Sequence, residues 1–243
     1  MLNFYLAFCS LIRTFMPAKK EHSDFIMKKL MTFLLALWAV SMQAQGLREQ
    51  GTSVEDIVPQ GWTHDEVTGD LNKDGLADLV LVTKSNQEDN MFTREDGYVY
   101  NFNKPILAIY FAEANGQLKL WKQYDEVLQP NTDICINEIE LQITDRGVLR
   151  ISTSMECSMG SWTTSSINFS FRYQNGDFYM IGKETNSLQR NSGDVEVVSE
   201  NYLTWKRQVV KSHISDEKPL SEKWTRLQRR PLEKLGARLL ADE

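Results

Sequence analysis

Histidine, cysteine and proline are scarce in this chain: three, three and six among 243 residues. The histidines (His22, His64, His213) are too few and too scattered for a His-rich metal site or a His-centred catalytic relay. The cysteines (Cys9, Cys135, Cys157) exclude a disulfide-dense miniprotein and a zinc site built of four thiolates. Basic charge is in deficit: the net charge is −6 and the pI about 5.3, which excludes a general nucleic-acid binder. Gly-x-Ser-x-Gly, Walker and Rossmann patterns are absent. The 42% of hydrophobic residues suffices for one sizeable core, so neither a collagen nor a disordered tail fits.

Long apolar runs are lacking too. The longest, Leu30–Val40, is 11 residues, well short of the roughly 20 that a membrane span needs. Lys28 and Lys29 precede it and the small residues Ser41 and Ala44 follow, so residues 27–44 (MKKLMTFLLALWAVSMQA) read as a signal peptide. Cleavage after Ala44 or after Ser41 is compatible with that pattern. Residues 1–26 then read as a mis-annotated start or a leader. No second apolar stretch supplies a transmembrane anchor, so the mature chain is expected to be secreted or periplasmic.

What the chain has in abundance is alternation. Three segments run as strand, Gly-containing turn, strand, around Asn115-Gly116, Asp145-Arg146-Gly147 and Asn175-Gly176. Read as a two-residue turn, Asn115-Gly116 puts Leu107, Ile109 and Phe111 on one face with Leu118 and Leu120, and Tyr110 with Trp121. The Asn175-Gly176 turn sets Ile167, Phe169, Phe171 and Tyr173 against Phe178, Met180 and Gly182. Read as a three-residue turn, Asp145-Arg146-Gly147 pairs Ile143 with Leu149, Leu141 with Ile151 and Ile139 with Thr153. Carried outward, that register sets Cys135 opposite Cys157, a disulfide candidate in an exported chain, although a one-residue slip would separate them.

The fold class is therefore mainly β, an antiparallel meander or sandwich of hairpins, with a partial β-propeller as the alternative. The domain occupies residues 45–204, with a polar insertion at 84–104 expected as a surface loop. Residues 205–243 carry ten cations and six acids against twelve and 25 in residues 45–204. This basic C-terminal appendage is expected to pack on the acidic domain, or else to face an anionic surface, with a short helix carrying Trp224 and Leu227 before Pro231.

Chemistry concentrates in GDLNKDGLADLVLVT, residues 69–83. Calcium takes six to eight oxygens at about 2.3–2.6 Å. The side chains of Asp70, Asn72, Asp74 and Asp78 with the carbonyl of Leu76 would supply most of such a shell, and Gly75 permits the turn. Leu81 occupies the place where an EF-hand has its bidentate Glu, so this is not an EF-hand. The stretch resembles the calcium loop of FG-GAP/VCBS-type repeats, Asp-x-(Asp/Asn)-x-Asp-Gly-x-x-Asp leading straight into a strand. That resemblance implies Ca²⁺ with Asp70, Asn72, Asp74 and Asp78 as ligands, and the crowding of three aspartates in one loop, whose repulsion an ion would offset, gives it a structural role. It covers a single copy, so propeller architecture is not carried over. Residues 160–206 look like a segment of uncharacterised secreted bacterial proteins, which implies an extracytoplasmic setting and no particular activity.

The function expected from this sequence is binding or recognition without catalysis. One alternative is a cell-envelope accessory or inhibitor protein that holds glycan or protein, with Trp62, Trp121, Trp162, Trp205 and Trp224 as a stacking platform or, more commonly, as core. The other is an unrecognised secreted hydrolase. An exposed aromatic groove would favour the first and a deep pocket with two carboxylates the second. Glu138 and Glu140 read as a solvated strand face, and His64 as a solvated lone histidine.

Overall fold

The run Leu79-Val80-Leu81-Val82 is apolar at every position, which suits a strand covered on both faces. In the computed structural model, which describes residues 46–159 and 161–236, it lies within a five-stranded antiparallel sheet. In chain order the elements of this sheet are β1 (Gln50–Gly51), β2 (Thr63–Gly69), β3 (Asp78–Lys84), β6 (Pro105–Ala112) and β7 (Leu118–Tyr124), with spatial order β1-β7-β6-β3-β2. Leu79, Leu81, Ala108 and Tyr110 point to one side, where the four-residue helix α1 (Val54–Ile57) supplies Val54 and Ile57. Val80, Val82, Leu107 and Ile109 point to the other, into the main core.

That main core is shared with a seven-stranded sheet of β8 (Cys135–Ile143), β9 (Val148–Cys157), β10 (Thr163–Gln174), β11 (Asp177–Gln189), β12 (Asp194–Asn201), β13 (Lys206–His213) and β14 (Ser221–Arg226). Its strands neighbour one another in chain order, a pure meander. Leu149, Ile151, Phe169, Phe171 and Phe178 fill the space between the sheets, each fully buried or nearly so. The leader and signal readings at 1–26 and 27–44 lie outside the described residues.

The second hairpin pairs as its sequence predicts. Ile143 faces Leu149, Leu141 faces Ile151 and Ile139 faces Thr153, and the register runs on to Cys135 opposite Cys157. The two sulfurs are bonded, 2.05 Å apart. Gly147, at φ 69°, supplies the left-handed residue of the three-residue turn. In the third hairpin Asn175 and Gly176 both take positive φ, 50° and 78°, as a type I′ turn requires. Tyr173 faces Phe178 and Phe171 faces Met180, but a bulge beyond Phe171 sets Gly182 opposite Ser170 instead of Phe169.

Three expectations are corrected. The Asn115-Gly116 turn is a three-residue loop in which only Gly116 has positive φ. The Glu113 carbonyl accepts from Gly116, its N–H donates to Gln117, and Asn115 Oδ1 holds the Gln117 amide. The extra loop residue slips the register by one and exchanges the faces of residues 118–121, until a bulge between Ile109 and Tyr110 restores the two-residue-turn register from Ile109 opposite Lys122 to Leu107 opposite Tyr124. Tyr110 faces Leu120, and Trp121 joins Phe111 on the main-core side, ring centroids 5.8 Å apart. The insertion at 84–104 is not all loop: Glu88–Asn90 forms a 3-10 turn, and β4 (Met91–Thr93) pairs with β5 (Val99–Asn101). Nor is there a helix before Pro231. Residues 221–226 pair with β13, whose free edge satisfies their backbone, whereas so short a helix could not nucleate alone. The C-terminal segment continues as a strap. Met180 donates to Glu233 and Leu235 to Phe178, and Leu235 is buried in the main core.

Candidate functional site

Two regions bring functional groups together. The first is the turn between β2 and β3. Asp70 Oδ1 and Oδ2 accept from Lys73 and Gly75, Asn72 Oδ1 from Asp74, and Asp74 Oδ1 from Leu76. The Asn72 amide reaches Asp74 Oδ2 at 2.9 Å. These local bonds turn the side chains over their own loop, the habit that makes Asn and Asp turn residues. Lys73 (φ 66°) and Gly75 (φ 88°) supply the left-handed positions.

Asp78 has a different place. It is fully buried, and its two oxygens accept from the backbone N–H groups of Leu71 and Ala112 at 2.9 and 3.0 Å. Burial pushes its pKa up, while those backbone bonds and one from Asn72 oppose the shift. It ties the loop to β6 across 34 residues of sequence. Gly147 completes the surroundings: a Cβ there would lie 2.6 Å from the Asp70 carbonyl, so the β8–β9 turn rests directly on the loop.

The donor chemistry fits a hard cation in kind, since every group is oxygen. Asp70, Asn72 and Asp74 hold their oxygens over the turn, where each accepts local N–H groups, and Asp78 is occupied as a buttress. Among the described residues no three acidic, histidine or cysteine side chains form a metal cluster. Water would have to complete a calcium shell here.

The second region was not legible as a site in the sequence. On the face of the seven-stranded sheet away from the core lies a trough of about 680 Å³. The strand registers set its side chains in two rows. One runs Gln142, Arg150, Ser170, Gly182, Asn201, Lys206. The other runs Ser152, Asn168, Glu184, Ser199, Gln208, Trp224. Polar alternation in Thr164, Ser166, Asn168 and Ser170 is the sequence signal for it, but only the pairing of seven strands assembles the rows. Glu184 is half-buried and accepts from Ser199 Oγ at 2.8 Å. Glu200 borders the trough too, but strand alternation sends its side chain the other way, where it accepts from the Tyr202 hydroxyl at 2.5 Å. Trp224 is 58% exposed, and its indole N–H donates to Glu222 at 2.6 Å. Gln208 donates to the same oxygen.

The tryptophans do not share a platform. Trp62 packs beside α1 and Trp121 on the main core; Trp205 contacts Tyr202 at 6.0 Å, and Trp162 is exposed. Among the described tryptophans, Trp224 alone lines the trough. His64 lies 3.8 Å from Glu66, and His213 bonds Ser215 and the Ser192 carbonyl, so neither addresses a nucleophile in the trough. Glu138 and Glu140 are exposed. Among the described residues no helix is long and apolar enough to cross a membrane. Comparison with family models, with curated proteins and with solved structures finds no match.

Proposed function

We propose that this chain is a secreted or periplasmic recognition domain that binds without catalysing, stabilised by Ca²⁺ in the loop of Asp70, Asn72, Asp74 and Leu76. The observation that carries the recognition reading is the trough: a broad polar recess with one oriented, exposed tryptophan and one half-buried carboxylate, Glu184, turned into it. Hydrolysis of a glycosidic bond ordinarily needs two carboxylates flanking the bond. The other acid along this recess, Glu200, is engaged by Tyr202 on the opposite face of the sheet. Extracytoplasmic placement is supported by the signal-like residues 27–44 and by the Cys135–Cys157 bond. Calcium is supported by the all-oxygen donor set and the single FG-GAP/VCBS-like spacing. A cell-envelope glycan or protein is the class of partner that such a recess suits.

The test is to incubate the full chain with mixed oligosaccharides and analyse both partners by mass spectrometry. Retained sugars of unchanged length are expected. Shortened products that vanish in Glu184→Gln would replace this reading with a hydrolase.

A further inference from the structure

The trough has a polarity of charge that a generic recess would lack. In the row through Gln142, Arg150, Ser170, Gly182, Asn201 and Lys206, the register continues from Lys206 to Arg226 on β14. Seven strands thus contribute three cations and no acid to one line, in a chain whose net charge is −6. The cross-strand neighbours of Arg150 are Gln142 and Ser170; those of Lys206 are Asn201 and Arg226. The adjacent row ends at the exposed Glu140 on β8, opposite Ser152; its inner acid, Glu184, receives Ser199, and Glu222 beside Trp224 receives both Gln208 and the indole. Glu184 and Glu222 are thus bonded to neighbours within the sheet, whereas the three cations are exposed, Arg150 donating to the neutral Gln142.

The floor is equally particular. Ser170, Gly182 and Ser199 line it with small side chains, two of them hydroxyls. Extended peptides bind sheets chiefly at an edge, through main-chain bonds, with pockets for alternate side chains. This recess lies on a face and offers side-chain hydroxyls, amides and one ring. Such a set matches a sugar chain, whose hydroxyls need many partners and whose C–H face packs flat on an indole. From β9 to β13 the row spans about 19 Å at about 4.8 Å between strands, so a ligand reaching both Arg150 and Lys206 must be a chain of several units.

We propose that the trough binds an acidic oligosaccharide laid across the strands, its carboxylates on the Arg150–Lys206–Arg226 row and one sugar ring on Trp224. This rests on the recognition reading and names its ligand class. Arg150 and Arg226 suit carboxylates because the guanidinium presents paired donors.

The experiment is calorimetric titration of the full chain with oligogalacturonates and with their methyl-esterified, uncharged counterparts of the same length. The acidic chains should bind about tenfold more tightly, an advantage that added salt erodes. The double variant Arg150→Gln/Lys206→Gln should erase that advantage, and Trp224→Ala should weaken both ligands. All three positions are exposed, so unchanged melting temperatures are expected. Equal affinity for acid and ester, or equal affinity for a single-stranded oligonucleotide of matched charge, overturns the acidic-sugar assignment. If Trp224→Ala still weakens the ester, the recognition reading survives that failure. Binding of none of these ligands overturns the assignment, and cleavage of the ligand overturns the recognition reading itself.

Discussion

At the scale of single residues, the two most informative side chains work through backbone contacts that spacing alone does not display. Gly147 is legible as a turn glycine, because a three-residue hairpin loop needs a left-handed residue. What the sequence conceals is that its missing Cβ makes room for the Asp70 carbonyl, where the Cβ of an alanine would sit at 2.6 Å. Gly147→Ala therefore combines an unfavourable φ of 69° with a backbone clash. It should lower the unfolding free energy by about 1–3 kcal/mol, read by urea denaturation. An unchanged midpoint would mean that the two turns are not in firm contact. Cys135 and Cys157 were legible for a related reason. The register is fixed at Gly147 and carried outward by alternating apolar residues, so nothing between the turn and the cysteines invites a slip. Asp78 was legible as an oxygen donor but not as a buttress, since its partner Ala112 lies a full strand pair away.

At the scale of elements, the first hairpin and the tail show where local rules run out. Asn-Gly favours a two-residue turn, yet Asn115 here caps Gln117 with its side chain, and the added loop residue exchanges the faces of β7 from Leu118 to Trp121, as far as the bulge between Ile109 and Tyr110. Both faces of this sheet are buried, so either register could hide Leu118, Leu120 and Trp121; alternation could not choose between them. The tail fails differently. Its strand character comes from the free edge of β13, a tertiary partner invisible to local pattern. Beyond it, the strap makes a specific claim on stability. Leu235 is 1% exposed, and its removal leaves a cavity among Tyr124, Phe178 and their neighbours. Leu235→Ala should cost about 2–5 kcal/mol in chemical denaturation, and a cost near zero would show that the strap merely rests on the surface. The same strap carries a pH signature. Burial alone would raise the Asp177 pKa, but the hydrogen bonds from Lys234 and the Phe178 N–H outweigh it and hold the carboxyl below its ordinary value of 3.8. A depressed carboxylate stabilises the fold above its unfolded pKa, and that contribution disappears as pH falls through and below 3.8. The melting temperature should therefore fall on acidification in this window, and Asp177→Asn should flatten that limb of the curve.

At the scale of the whole molecule, the Asp70–Asp78 loop is where the two sheets meet at a turn. It leads into β3, the strand buried on both faces; Asp78 joins it to the end of β6; and the β8–β9 turn of the other sheet rests on it. Two carboxylates, Asp70 and Asp74, share the turn with the Asn72 amide, and their mutual repulsion opposes its closure. An ion that neutralises them would stabilise the loop in its folded form only, because an unfolded chain does not hold the oxygens together. Ligand in hundredfold excess over its dissociation constant adds about 2.7 kcal/mol to stability, which for a domain of this size raises the melting temperature by about 5–10 °C. Calorimetry of the full chain in excess calcium and in EDTA should show that difference. Asp74→Ala should abolish it while leaving the EDTA transition nearly in place, since Asp74 is exposed and Asp78 still ties the loop down. A transition identical in calcium and EDTA would leave the loop as a self-sufficient Asx-rich turn, held by Asp78 and braced by Gly147 without an ion.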